Sequence, residues 1–111
     1  LPPSVYQRMQ EEAPEKIVME TLRVEIRHVQ NEGQHVVIMG VIKKVDRSAS
    51  GLKSGEFVTI QYLIPDRPEG WVGPGNIPIL SEQEETVAFL RRIDQSDRYE
   101  PAAGAMSFSE F

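Results

Sequence analysis

The chain has 111 residues, 40% hydrophobic and 26% charged, with 12 Lys+Arg against 17 Asp+Glu, a net charge of −5 and no Cys. That length fits one domain burying roughly two thirds of its unfolded surface. The absent Cys excludes disulfide frameworks, thiolate metal sites and cysteine nucleophiles. No apolar run approaches the ~20 residues of a membrane-spanning helix, and the acidic balance disfavours nucleic acid as a partner.

The first sixteen residues read as a short helix and linker, distinct from residues 17–111. Pro2-Pro3 blocks a helix on its N-terminal side, Ser4 can cap one, and Gln7 sits at the capping-box position. Val5, Met9 and Ala13 recur every four residues beside Tyr6, and Pro14 ends the run. A helix this short must dock its stripe on the rest of the chain. The opening Leu1-Pro2-Pro3-Ser4 looks like a processed end, which points to an exported protein, periplasmic or secreted, with a cytoplasmic one as the alternative.

From Ile17 the period changes to two. Val18, Leu22, Val24 and Ile26 share one parity and Arg23, Glu25 and Arg27 the other, which predicts a strand with one buried face. Asn31-Glu32-Gly33 is a turn. A second strand follows from His35 to Asp46. Both parities of Val36-Val37-Ile38-Met39 are apolar, so both faces are expected to be covered, and Gly40 marks a bend. After a Ser/Gly loop comes a third strand, with Val58, Ile60, Tyr62 and Ile64 in alternation. Residues 65–78 are a loop rich in Pro and Gly that carries the only Trp, Trp71. A fourth strand over residues 85–93 is expected to point Val87 and Phe89 inward and Leu90 outward. An irregular fifth spans residues 99–108, broken by Pro101 and Gly104. The pattern predicts an all-β fold: a five-stranded, partly open barrel of the oligonucleotide/oligosaccharide-binding (OB) type with a short N-terminal helix. A two-sheet sandwich is the second choice.

These segments carry a family resemblance. The long hairpin is followed by Gly51-Leu52-Lys53-Ser54-Gly55-Glu56-Phe57-Val58-Thr59-Ile60, in which leucine, two residues and glycine lead into the third strand. The Pro-rich loop then ends in Pro78-Ile79-Leu80-Ser81-Glu82 and leads to Val87-Ala88-Phe89-Leu90. Over residues 17–108 this resembles the netrin-like modules and tissue inhibitors of metalloproteinases. The tail around Tyr99-Glu100-Pro101 and Met106-Ser107-Phe108 is similar to that of small exported bacterial proteins. The resemblance implies an OB barrel with a binding role. It does not bring the inhibitory mechanism, because those inhibitors chelate the protease metal with an N-terminal Cys and this chain begins with Leu1.

Few residues suggest chemistry. His28 and His35 flank the turn. A two-residue loop would put them on one face within reach of one metal ion, and a three-residue loop on opposite faces. No spacing supplies the third ligand a metal site needs. Glu20 with Glu25, the Glu82, Glu84 and Glu85 group, and Ser48, Ser50 and Ser54 lack the arrangement of an active site, and no Gly-x-Ser-x-Gly elbow is present. The expectation is therefore a non-enzymatic module without cofactor. It would bind a protein or small ligand through Trp71, Val72 and Pro74 of the stiff loop, with Tyr62 and Tyr99 as further aromatic contacts. Trp71 could instead fold back and cap an open barrel end. Phe111 is either frayed or tucked into a groove. A single-stranded nucleic-acid binder and a metal-binding protein using His28 and His35 are the alternatives.

Overall fold

The computed structural model describes residues 1–73 and 75–110. In chain order it contains α1 (Pro3–Glu12), β1 (Glu15–Val29), β2 (Gly33–Ser48), β3 (Phe57–Pro65), β4 (Glu85–Arg92), β5 (Arg98–Pro101) and a 3-10 turn at Gly104–Met106. The strands close into a barrel in the order β1-β2-β3-β5-β4. β1 holds two neighbours: it pairs antiparallel with β2 along its length, and with β4 from Glu15↔Leu90 to Glu20↔Glu85. β3 and β5 run parallel, joined by Thr59↔Arg98 and Ile60↔Tyr99.

The β1–β2 hairpin is long enough to serve two sides of the barrel because it bends. Its register shifts at Lys16/Ile17, Val18/Met19 and Thr21/Arg23. Each shift inserts an extra residue, which kinks and twists the ribbon. The third one skips Leu22 and lies opposite Gly40. A Cβ on Gly40 would stand 3.0 Å from the Glu20 carbonyl oxygen and 3.1 Å from Met19 Sδ, so only glycine lets the strands approach there unhindered.

The skipped residue also reverses the parity of β1. Before it, Ile17, Met19 and Thr21 point into the core; beyond it, Val24 packs there. The expected stripe through Val18 and Leu22 is thus corrected: Val18 is half-buried and Leu22 exposed. Val36, Ile38 and Ile42 of β2, Val58 and Ile60 of β3, Ala88 and Leu90 of β4, and Tyr99 of β5 fill the interior. Leu80 and Phe108, from outside the strands, complete it.

Phe89 was expected inside and Leu90 outside; the reverse holds. Ala88 and Leu90 face the core, whereas Phe89 and Val87 pack outside the barrel with Met9, Ala13, Ala102 and Ala103. The helix supplies the apolar cover that this outer patch of β4 requires. Met9 and Ala13 dock as the four-residue spacing predicts, but Val5 stays exposed. Gln10 anchors the contact, donating from Nε2 to the Met106 and Ser109 carbonyls at 2.8 and 2.6 Å. From β2, Arg47 donates from Nε to the Ala13 carbonyl at 2.9 Å and from its terminal nitrogen to that of Gln10, satisfying acceptors that the helix end leaves open. Ser4 does not cap the helix; Pro2 takes the cap position, with proline opening the first turn. The fifth strand ends at Pro101, earlier than expected. Gly104, at φ 52, begins the 3-10 turn.

Candidate functional site

The chain leaves β3 at Pro65, opposite Gly33 of the hairpin tip, and the Asp66 N–H donates to the Glu32 carbonyl at 3.1 Å. The loop then folds on itself. The Trp71 N–H donates to the Pro68 carbonyl at 3.1 Å, and Gly70 takes φ 77. The Arg67 guanidinium lies over the indole at 4.5 Å and donates to Asn76 Oδ1 at 3.3 Å. On the indole's other contact, a Cβ on Gly73 would come within 2.6 Å of Trp71 Cζ2. The ring is therefore held by its own loop, in a cation–π stack and against bare backbone. Trp71 remains 47% exposed and Val72 93%. Trp71 does not cap the barrel; Leu80 and Phe108 close the core, with Ile77 packed against it. Pro74 and Phe111 lie outside the described residues.

The two tyrosines have different fates. Tyr62 is half-buried, its ring centroid 6.2 Å from that of Phe108, and its hydroxyl donates to the Pro78 carbonyl at 2.7 Å, tying down the returning end of the loop. Burial pushes its phenol up to about 12. Tyr99 is only 5% exposed, with its hydroxyl 2.6 Å from Ser50 Oγ. The expectation that it contacts a partner is corrected: its ring is a core element.

The hairpin turn contains three residues between the last pair, Val29↔Gly33, with Asn31 at φ 66. Arg27↔His35 and His28↔Gln34 are consecutive pairs, so the two histidines fall on opposite faces and do not share a metal ion. His28 lies 3.6 Å from Asp66, and His35 Nε2 2.6 Å from Glu32 Oε1. Among the described residues no group of three His, Cys, Asp or Glu is placed to hold a metal. Glu20 lies 3.5 Å from Lys43 and Glu25 2.6 Å from Arg23, while Glu84 accepts from the Ser81 N–H at 2.9 Å. These acids are occupied by surface pairing and turn capping.

One polar cluster was not foreseen. Glu15 is buried at the start of β1, where its Oε1 accepts from the Ser48 hydroxyl and, at 2.9 Å, from the Ser50 hydroxyl. Ser50 continues to Tyr99, and Ser48 Oγ accepts the Leu52 N–H at 2.8 Å. The cluster pins the loop after β2 against the barrel seam. Its only advance signal is that Glu15 shares the parity of Ile17 and Met19, which becomes legible once the bulge is known.

A second feature is the outer face of β1, β2 and β3. Pairing across the strands arranges it in four rows: Glu20, Val41 and Phe57; Arg23, Met39 and Thr59; Glu25, Val37 and Gln61; Arg27, His35 and Leu63. The double apolar parity of β2 predicted cover on both faces, but only the inner one has it. Met39 is 41% exposed and Phe57 68%. At the hairpin end of these strands lies a cleft of about 880 Å³ lined from both sides of the sheet, with Val36, Tyr62 and Ile77 of the inner side beside Arg27, His35 and Leu63, and with Ile93 and Pro101 across it.

Fold and site together define a class: a small closed five-stranded β-barrel with a helix packed outside β4 and a self-braced aromatic loop at its surface. Comparisons with protein-family models, curated proteins and solved structures give no match.

Proposed function

We propose that the protein is a non-enzymatic binding module on an OB-type barrel that takes a protein or small ligand on the loop carrying Trp71. The strand order β1-β2-β3-β5-β4 supports the OB reading, since it is that of a five-stranded Greek-key barrel. One observation carries the binding role. The only Trp of the chain is spent outside the core, braced by Arg67 and Gly73, beside a Val72 open to solvent on nearly all sides. A rigid aromatic with an exposed apolar neighbour loses little conformational freedom on binding and gains from desolvation, which is how interface anchors work.

The nucleic-acid alternative calls for a basic groove with stacking aromatics. The outer face instead alternates acids with arginines along β1, and the net charge is −5. Indole emission provides the test, because every change in it reports on Trp71. The chain is titrated with panels of peptides, oligosaccharides and short oligonucleotides. A ligand that shifts the emission should lose binding to Trp71→Ala, measured by calorimetry, while the unfolding free energy of the variant stays within about 0.5 kcal/mol of the parent's. A ligand held equally by both proteins overturns the assignment to this loop. Oligonucleotide binding that weakens steeply with salt would favour the nucleic-acid reading instead.

A further inference from the structure

We infer that the outer face of β1, β2 and β3 is covered in solution by a second copy of this chain, related by a two-fold axis that lies between the faces and across the strands. This surface is separate from the Trp71 loop and does not depend on the function proposed for it.

The argument begins with sign order. Along β1 the four rows present Glu20, Arg23, Glu25 and Arg27, alternately negative and positive. Such a series is its own complement when reversed. A two-fold axis across the strands keeps each strand over its counterpart and reverses the rows, so the first row meets the partner's fourth and the second meets the third. Besides the Arg23–Glu25 and Glu20–Lys43 pairs within each copy, each acid then faces an arginine across the axis: Glu20 opposite the second copy's Arg27, and Arg23 opposite its Glu25. The same operation sets Met39 on the second copy's Val37 in the middle of the face, and polar Thr59 on polar Gln61. A two-fold axis along the strands would lay β1 over β3 and put Glu20 on Phe57, an unpaired charge against an aromatic ring. The face has as many acids as arginines on β1, so it suits neither a polyanion nor a uniformly basic partner.

Shape follows the same reversal. Phe57, 68% exposed, projects from the first row, and Leu63, 39% exposed, lies in the fourth. Reversing the rows sets each Phe57 against the other copy's Leu63, apolar on apolar, twice over. The charges lie at the rim, because beyond Thr21 β1 has no strand partner on that side among the described residues. Apolar β2 lies at the centre, the usual anatomy of an interface. Strand spacing gives a face of about 400 Å² per copy. That is small for a stable dimer, so association depends on concentration.

Sedimentation equilibrium on the full chain, from about 5 to 500 µM, tests the inference. The expected result is a rise from 12.6 kDa towards about 25 kDa, twice the chain mass. Arg23→Glu puts like charges face to face and should hold the chain monomeric across the range. Arg8→Glu, on the exposed side of α1, alters net charge equally and should leave the rise intact. The double exchange R23E/E25R restores opposite signs across the axis and should restore association. Circular dichroism confirms that each variant folds. A wild-type chain that stays monomeric throughout, a mass that climbs beyond the dimer, or an R23E variant that associates like the parent overturns the inference. Failure of the double exchange to restore association overturns the axis.

Discussion

Thr21 is the place where this barrel should gain stability from a single atom. Its side chain is fully buried at the bulge opposite Gly40, and its hydroxyl finds no hydrogen-bond partner among the described residues. The main chain at the same residue is fully paired, donating to the Glu84 carbonyl at 2.8 Å and accepting from the Gln83 N–H at 2.6 Å. The cost is therefore confined to the hydroxyl, and a buried unpartnered hydroxyl costs about 1–3 kcal/mol. Thr21→Val keeps the branched shape and the strand geometry while replacing that oxygen with a methyl group. Allowing for imperfect packing of the new methyl, the net gain should be about 1 kcal/mol, or about 4 °C in Tm for a chain of this size. Urea denaturation should show a higher midpoint with unchanged m, the signature of altered stability without altered compactness. Thr21→Ser separates the two contributions, since it keeps the hydroxyl and loses the methyl, and should cost about 1 kcal/mol. A Thr21→Val protein that is no more stable than the parent would refute the reasoning, because it would mean that the hydroxyl is satisfied.

Three other perturbations address different parts of the structure. Gly33→Ala should cost at least about 3 kcal/mol or prevent folding, because its Cβ would lie 2.1 Å from the Ile64 carbonyl oxygen at φ 138; Gly51→Ala, at φ 83 with no neighbour within 4 Å among the described residues, should cost only about 1 kcal/mol by the same denaturation assay. Tyr62 should ionise near pH 12 in the folded protein, above its ordinary value of 10.0, in an absorbance titration, and Tyr62→Phe should remove that step. Since the folded state holds this proton more tightly, the associated stability is whole below pH 10 and is lost as pH rises from about 10 through about 12. Gly73→Ala should shift the indole emission without lowering the unfolding free energy by more than about 0.5 kcal/mol, because the clash displaces a ring that lies outside the core.

Much of the fold was legible because β-strands announce themselves by parity and turns by composition. The alternation of Val58, Ile60, Tyr62 and Ile64 put the right residues of β3 on the inner face, and the Pro/Gly stretch after Pro65 marked a loop. What failed has a physical cause in each case. The parity of β1 inverts at Leu22, and a bulge depends on the facing strand, which a linear pattern does not contain. Phe89 and Leu90 exchanged sides because a helix outside the barrel gives β4 two apolar faces, so neither parity is diagnostic. Tyr99 passed for a contact residue because an aromatic near the end of a chain carries no mark of burial. Trp71 was identified as the feature of its loop, but whether it capped the core or stood outside depended on Arg67 and Gly73, whose contacts are decided only in three dimensions.

The parallel seam between β3 and β5 has a consequence for how the molecule breathes. It is held by two register pairs, whereas β1 and β2 are bound along almost their whole lengths. With only two pairs to break, it is the seam expected to open at the lowest cost in local unfolding. The barrel is thus a clasped bracelet rather than a uniform ring. Its clasp lies where Ile60 and Tyr99 meet, and a brief opening there would admit water to the core while the long hairpin stays intact.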